Sequence, residues 1–257
     1  MNFRNLGLAA GLCILALSAS SQAEDVVSLI AQADAAYAKR DDVPEAKIAM
    51  ITYDRAATAW RASPEDGRAT VMGSTRAAEC YWKASRSAWW LGEHAEERAE
   101  RLDYFQKGMN FAQKAIALNP DSVEAHFWLG GNEGSYGDSK GVLKSLSLLK
   151  PIRHEMREVI RLNDKYLDGG AYRVLGVVDY KVPPLLGGSK TRALEELEKA
   201  RAMGPQDPFT HYYLAEYYKV TGDAAKEKME LDALRTLQVV PDSLPELRML
   251  QQRAEKL

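Results

Sequence analysis

The sequence predicts an all-α protein built as a right-handed superhelix of paired helices, and a stretch near the C-terminus carries the clearest signal. Ala193, Leu197 and Ala200 stand at i, i+4 and i+7, so they share one face of a helix. Pro205 ends that helix. Asp207-Pro208 then supplies an N-cap and a proline at the first position of a second helix. The apolar face of this second helix consists of Tyr213, Leu214, Tyr217 and Tyr218.

This order of small, large and small residues before a proline, followed by an aromatic helix, is typical of a tetratricopeptide (TPR) repeat. The end of the first helix recurs at spacings of 44 and 41 residues, in Leu118-Asn119-Pro120, Leu162-Asn163-Asp164 and Met203-Gly204-Pro205. Each recurrence precedes a leucine and a small residue, in Leu129-Gly130, Leu175-Gly176 and Leu214-Ala215. We therefore predict a TPR-like solenoid of helical hairpins, with divergent N-terminal repeats and inserted loops.

Composition fits a soluble protein with a sizeable core. Of 257 residues, 46% are hydrophobic and 27% are charged, and the net charge is −2. Without a basic excess, the chain has no surplus charge to neutralise phosphates, so nucleic-acid binding is not expected. The lack of a polybasic cluster likewise argues against docking on anionic lipid.

Residues 1–23 read as a cleavable signal peptide, which predicts export to the periplasm. Arg4 gives a positive start, and Leu6–Leu17 is an apolar run too short to span a bilayer. Ser21-Gln22-Ala23 supplies small residues before the cut. An uncleaved anchor is the alternative. Leu12 precedes Cys13 where a lipidation signal needs a small residue, so we expect no stable membrane anchor.

We expect residues 24–257 to form one helical-repeat domain. Its parts are divergent N-terminal helices at 24–118, recognisable repeats at 119–239 and a capping helix at 243–257. A Ser-Pro start signal at Ser63-Pro64 opens the third helix, and Leu91-Gly92 is predicted to end it. Ser243-Leu244-Pro245-Glu246 reads as a capping box that starts the last, polar helix.

Two insertions depart from the repeat period. The first covers 130–151 and places Gly130, Gly134 and Gly137 on one helix face, where another helix or a ligand could come close. The second is Val182-Pro183-Pro184-Leu185-Leu186-Gly187-Gly188, a loop because Pro-Pro cannot continue a helix. We expect its two leucines to pack against the end of a helix pair, and a lid or partner contact is the alternative.

The sequence offers no catalytic arrangement, so we predict a non-enzymatic protein without cofactor or metal. Cys80 lies on a helical pattern among small residues and is expected to be a buried apolar side chain. His154 and Glu158 at i, i+4 resemble a fragment of a zinc helix, but the second histidine and a third ligand are missing. His126 and His211 fall at matching points of two repeats and are read as structural polar residues.

Several segments together resemble one family, and the Pro-Pro-Leu-Leu-Gly-Gly-Ser-Lys loop is the most specific of them. These segments are Trp128-Leu129-Gly130-Gly131, Leu149-Lys150-Pro151-Ile152-Arg153, Gly169–Gly176, Val182–Gly188 and Ala193–Leu214. The chain resembles the TatT-like proteins, periplasmic TPR proteins associated with TRAP transporters. The resemblance implies an all-helical homotrimer that contacts the solute-binding subunit of a TRAP system and has a cleft or pore for an apolar ligand.

We therefore expect a periplasmic TPR protein that binds a partner protein, with a TRAP solute-binding subunit as first candidate, and a small hydrophobic ligand. An envelope scaffold or assembly module unrelated to transport is the alternative, and an enzyme using His154, Glu155 and Glu158 is a third reading. Both insertions and several aromatic residues fall in one region, which places the predicted groove at Trp128, Tyr136, Tyr172, Tyr180, Leu185 and Leu186.

Overall fold

The computed structural model describes residues 26–62 and 69–257, and these residues are helical with no strand among them. The predicted signal peptide and the Ser63-Pro64 start signal lie outside the described residues. The helices are α1 (26–37 of the described chain), α2 (Val43–Ala62), α3 (Ala69–His94), α4 (Arg98–Leu118), α5 (Val123–Lys140), α6 (Leu149–Asn163), α7 (Gly170–Lys181), α8 (Lys190–Met203), α9 (Pro208–Thr221), α10 (Ala224–Thr236) and α11 (Leu244–Ala254). Short 3-10 helices occupy Val142–Leu148, Pro184–Leu186 and Pro241–Ser243.

Successive helices pair as hairpins, and small residues let the two helices of a pair approach closely. A Cβ atom built on Gly176 of α7 would lie 2.8 Å from Leu197 Cγ of α8. One built on Gly130 of α5 would lie 2.5 Å from Met156 Cε of α6. At Gly176 the built Cβ would also lie 3.0 Å from the backbone oxygen of Ala193, so a side chain there would force the two helices apart. At Gly130 the close atom is the mobile end of Met156, so a larger residue would first displace that side chain. These contacts confirm the predicted solenoid of helical hairpins.

Helix α3 runs two residues beyond its predicted end at Leu91-Gly92. Gly92 is helical, and a Cβ built there would lie 2.4 Å from the ring of Phe105 on α4. This glycine therefore provides room for a neighbouring helix and does not end its own. The prediction was wrong because sequence alone does not separate the two uses of glycine.

The two ends of the described chain meet. Ala46, Met50 and Trp90 of the N-terminal hairpins share one buried cluster with Leu234 of α10 and Leu250 of α11. Arg40, 3% exposed, donates from Nε to Glu246 Oε1 at 2.9 Å. The superhelix thus closes on itself.

The predicted capping box at Ser243–Glu246 does not form. Ser243 makes no side-chain cap hydrogen bond, and the Glu246 carboxylate binds Arg40 instead. Helix α11 also buries Leu247, Met249 and Leu250 against earlier helices. Glu246 thus forms a long-range ion pair with Arg40 and does not cap its own helix. A local sequence motif cannot predict such a distant partner.

The matched histidines form the same contacts in two repeats. His126 Nδ1 lies 2.6 Å from Glu155 Oε2, and its Nε2 lies 2.8 Å from Pro120 O. His211 Nδ1 lies 2.7 Å from Glu230 Oε2, and its Nε2 lies 3.0 Å from Pro205 O. The hydrogen bond to the carboxylate raises the pKa of each imidazole against the opposing effect of burial. Each histidine therefore joins a repeat turn to the next helix.

Across 26–62 and 69–257, no helix has both the length and the apolar character that crossing a membrane requires.

Candidate binding cavity

The inner side of the superhelix contains a partly open cavity of about 260 Å³. Its walls come from the first helices of four hairpins, α3, α5, α7 and α9, together with Arg101 of α4, the 142–149 segment and α11. This placement follows from the fold, because the first helix of each hairpin faces the concave side of the solenoid. A largely apolar hollow with a few polar groups is the usual form of a small-molecule site.

Aromatic rings form one continuous wall. Trp89 of α3 has its ring centroid 5.5 Å from that of Trp128 on α5 and 6.1 Å from that of Phe209 on α9. Phe127 meets Trp128 edge-on at 5.2 Å, and Phe209 stacks on Tyr213 at 6.5 Å. These contacts hold three helices at fixed separation and present flat apolar surface to the cavity.

The opposite wall is aliphatic. Val174, Val177 and Val178 of α7 stand at i, i+3 and i+4, so one helix face lines the cavity. Leu148 and Ile152, from the first insertion and α6, complete this side.

Two glycines keep the cavity open on the α5 side. Gly131 and Gly134 line it, and a Cβ built on either would meet no atom within 4 Å. The three glycines predicted to share one helix face, Gly130, Gly134 and Gly137, therefore do not have the same surroundings. Gly130 contacts α6, while Gly134 borders open space. A methyl group added at Gly131 or Gly134 would therefore meet no neighbouring atom.

A hydrogen-bond chain closes one end of the cavity. Trp89 Nε1 donates to Ser135 Oγ at 3.0 Å, and Ser135 Oγ donates to Glu93 Oε1 at 2.6 Å. Arg253 of α11 donates to Glu93 Oε2 at 2.5 Å. The chain joins α3, α5 and α11 and satisfies the Glu93 carboxylate without a ligand.

A second ion-pair cluster joins α5, α7 and α9. Lys181 Nζ lies 3.2 Å from Asp138 Oδ1 and 3.5 Å from Glu216 Oε1. Burial opposes the charge of Lys181, but the two carboxylates raise its pKa, so it stays protonated. Tyr180 donates its hydroxyl to Glu216 at 2.5 Å, and burial followed by the Glu216 charge holds the tyrosine pKa well above its usual value.

A third pair fixes the turn between α8 and α9. Arg173 Nη1 lies 2.5 Å from Asp207 Oδ2, and its guanidinium carbon lies 5.4 Å from the Phe209 ring centroid. Asp207 also accepts from Thr210 N at 2.8 Å as the N-cap of α9. Arg173 therefore positions an aromatic side chain of the cavity wall.

Of the six residues predicted to form a groove, the structure places only Trp128 in the wall of this cavity. Tyr180 is buried against α8 and α9, and Tyr136 packs beside Met109 and Leu129. Tyr172 lies with Lys199 Nζ 5.3 Å from its ring centroid. Tyr172 and Tyr180 are each two residues from a cavity-lining valine, so the helix turns them about 200° away.

The loop leucines do not pack as expected. Leu185 is 96% exposed and Leu186 is 38% exposed. The loop is held through its backbone, since Arg153 and Arg192 donate to Gly187 O at 3.0 and 2.8 Å. Both arginines also bind the buried Asp179 carboxylate. Polar contacts fix the loop, so its apolar tip needs no covering to be ordered.

Of the three residues considered for an enzyme site, His154 and Glu155 are neighbours, with 4.0 Å between His154 Nε2 and Glu155 Oε1, but both carboxylates have other partners. His154 is 66% exposed, Glu155 binds His126, and Glu158 pairs with Arg161 at 2.8 Å. In the described ranges, no group of three histidine, cysteine or acidic side chains could hold a metal ion. Cys80 is 1% exposed, and burial followed by the Glu79 charge raises its thiol pKa to about 12. Such a thiol is a structural residue, as predicted.

Sequence analysis missed most of the wall because residue type alone does not say which face of a helix is concave. Val174, Val177 and Val178 carry the helical spacing that could have identified them. Arg101 had no such signal, since one arginine on a charged helix is ordinary.

Comparisons with known proteins agree with this architecture. A family model described as "TRAP transporter T-component" matches residues 52–257. A crystal structure of a thermophilic TPR protein from Thermus thermophilus is similar in fold, with a TM-score of 0.59 and 18% identity. The match covers 90% of this chain and all of the other. Among curated proteins, none matches the chain.

Proposed function

Because the chain belongs to the family of TRAP transporter T-components, we propose that it holds a small apolar ligand in its central cavity and binds a partner protein. The partner proposed first is the solute-binding subunit of a TRAP transporter, met in the periplasm. The family and the TPR fold are non-catalytic kinds of protein, and the family links this one to transport. That link favours the transporter proposal over a general envelope scaffold.

The cavity is the observation that supports the ligand proposal. Rings from α3, α5 and α9 face aliphatic side chains of α7 across a hollow of about 260 Å³. Apolar cavities of this kind accept apolar ligands readily, because water gains little inside them. The glycines at Gly131 and Gly134 leave this volume free where most residues would fill it.

Filling the cavity tests the ligand proposal. Gly134→Leu places a side chain in open space and improves helix propensity, so the fold should persist. We expect it to weaken binding of the fluorescent apolar probe N-phenyl-1-naphthylamine by about 10-fold or more. Gly73→Leu is the matched control. Gly73 lies in α3 away from the cavity, and a Cβ built on it would be 3.8 Å from its nearest neighbour, Trp60 O. Equal probe affinity in wild type and Gly134→Leu would refute the cavity as ligand site.

The loop from Val182 to Gly188 supports the partner proposal. It presents Leu185 to solvent on a backbone fixed by two arginines. An exposed apolar side chain on a rigid support loses little conformational entropy on binding and is a favourable anchor for a protein partner.

A binding measurement with the TRAP solute-binding subunit tests this surface. We expect Leu185→Asp to weaken the complex by about 10-fold or more, because the charge would enter an apolar contact. Val240→Asp replaces another exposed residue, 66% accessible, outside the loop and serves as control. An unchanged affinity in Leu185→Asp would remove the loop from the interface, and no complex with wild type would remove this partner.

A further inference from the structure

Among the described residues, the cavity wall holds four basic side chains, and three of them have acidic partners. Arg173 binds Asp207, Lys181 binds Asp138 and Glu216, and Arg253 binds Glu93. The fourth is Arg101 of α4, which forms no ion pair with any described residue. The three pairs use four carboxylates, so Arg101 is the lining base without an acidic partner in the described protein.

Arg101 also has a buried nitrogen without an acceptor. Its Nε has almost no contact with solvent and no hydrogen-bond partner in the described protein. Arg98, one helical turn earlier, shows the ordinary arrangement, since its guanidinium donates to Ser139 O and Lys140 O at 2.8 Å each. A guanidinium nitrogen removed from water without a partner is unfavourable. Because Nε has almost no accessible surface, a ligand in the cavity would meet the Arg101 guanidinium through its other nitrogens.

A second polar group on the same wall lacks a partner. Ser145 is 5% exposed, lines the cavity, and its hydroxyl makes no hydrogen bond within the described protein. A buried hydroxyl is normally paired, so this unpaired one is unusual, although its oxygen has almost no accessible surface. Three lining residues, Arg101, Ser145 and Trp128, thus carry a polar atom without a partner in the described protein. Arg101 is the charged one among them, which favours a ligand with one anionic end.

We propose that the cavity binds an amphipathic monocarboxylate, with its carboxylate on Arg101 and its apolar part between the aromatic and aliphatic walls. This inference rests on the ligand part of the proposed function and adds the chemical class. The planar guanidinium fork suits a carboxylate, which it can bind through two parallel hydrogen bonds. A dicarboxylate has no second site, because Arg173, Lys181 and Arg253 are held by their own carboxylates.

Calorimetric titration of the protein with decanoate, 1-decanol and succinate tests the proposal without any variant. We expect decanoate to bind at least about 10-fold more tightly than 1-decanol, and succinate to bind at least about 10-fold more weakly than decanoate. Arg101→Gln should weaken decanoate binding by about 10- to 100-fold and leave 1-decanol within about 2-fold. Arg101→Lys, which keeps the charge but loses the fork, should be intermediate. Lys107→Gln removes the same charge from the exposed face of α4 and is the control.

The outcomes distinguish the claim that the ligand is a carboxylate from the claim that the cavity is a ligand site. Equal affinity for decanoate and 1-decanol, or an equal loss of both in Arg101→Gln, overturns the carboxylate and leaves an apolar ligand site. Tight succinate binding also overturns the proposed class. If neither decanoate nor 1-decanol binds wild type, and Gly134→Leu does not alter binding of the apolar naphthylamine probe, the ligand part of the proposed function fails as well.

Discussion

At the residue scale, the two repeated histidine pairs tie protonation to stability. Both ring nitrogens of His126 and of His211 face acceptors, a carboxylate and a backbone carbonyl, so the doubly protonated imidazolium satisfies all four contacts. The hydrogen bond to glutamate raises each folded-state pKa above 6.5. The stabilisation is therefore complete below pH 6.5 and is lost as the pH rises through the raised values.

Replacing one of these histidines should weaken the dependence of the free energy of unfolding on pH. We expect His211→Gln to lower the free energy of unfolding by about 1–3 kcal/mol below pH 6, with a smaller difference at high pH, where wild type has lost the charge. His154→Gln changes an exposed histidine and should have little effect. Urea unfolding across pH measures both. A constant difference between His211→Gln and wild type at every pH would show that the imidazolium contributes nothing.

Glu133 is a buried carboxyl whose ionisation works against folding. It is 7% exposed, its Oε2 has no partner in the described protein, and burial followed by the Glu155 charge raises its pKa to about 8. The folded protein holds this proton between its usual value of 4.5 and pH 8, while the unfolded chain releases it. Stability attributable to Glu133 therefore falls as pH rises through this range.

Glu133→Gln should remove this loss. We expect the variant to be more stable than wild type by more than about 1 kcal/mol at pH 8 and above, since each pKa unit corresponds to about 1.4 kcal/mol. Near pH 4.5 the two proteins should differ little. Thermal unfolding at both values measures the effect, with the exposed Glu96→Gln as control. A variant less stable than wild type at pH 8 would mean that an ionised Glu133 is stabilised in the fold.

At the element scale, the 182–188 loop shows how a loop stays rigid without an apolar core. Gly188 lies so close to α7 that a built Cβ would be 1.7 Å from Val182 O. Ser189 N donates to Asp179 O at 2.8 Å, and Ser189 Oγ then caps α8. Backbone contacts therefore join α7 to α8 directly.

Gly188→Ala should break this connection. We expect a loss of about 1–3 kcal/mol in the free energy of unfolding, because the backbone must shift to admit the methyl group. Leu185→Ala, at the exposed tip of the same loop, should change stability by less than about 0.5 kcal/mol. Chemical denaturation of both variants measures this. Equal stabilities would contradict the tight approach at Gly188.

The positions of the helices could be predicted from the sequence. Which face of each helix lines the cavity could not. The apolar spacing of Ala193, Leu197 and Ala200 was sufficient, because these residues are fully buried in the hairpin. Tyr172 and Tyr180 have the same aromatic character as Trp128, yet they face away from the cavity. Which side of α7 is concave depends on how the hairpins stack, and that is a property of the assembled superhelix.

At the scale of the whole molecule, closure is the feature that converts an open groove into a cavity. Glu246 and Arg40 are 206 residues apart in sequence and form an ion pair in which the Arg40 side chain is 3% exposed and that of Glu246 is 16% exposed. Arg253 of α11 reaches Glu93 at the cavity end. No local pattern in either segment indicates the other, so the sequence predicted a solenoid with a C-terminal capping helix and gave no sign that this helix contacts the N-terminal hairpins. The predicted homotrimer stays a prediction.

Removing the buried Arg40 side chain should loosen the contact between α11 and the N-terminal hairpins. We expect Arg40→Ala to cost about 3–5 kcal/mol, because it leaves Glu246 without its partner. Arg248→Ala removes an exposed arginine that pairs with Asp41 across the same junction, and should cost at most about 1 kcal/mol. Hydrogen exchange of α11 should rise in Arg40→Ala only. Similar exchange in both variants would contradict the role given to the pair of Arg40 and Glu246.

The central claim is that the inner helices of a closed TPR superhelix line a ligand cavity. A crystal structure of the protein soaked with bromobenzene tests it most directly, because bromine is located by anomalous scattering. The account predicts a bromine peak inside the hollow, between the ring of Trp89 and the side chain of Val178. Bromine found only on the outer surface, with the space between α3, α5, α7 and α9 filled by protein side chains, would contradict it.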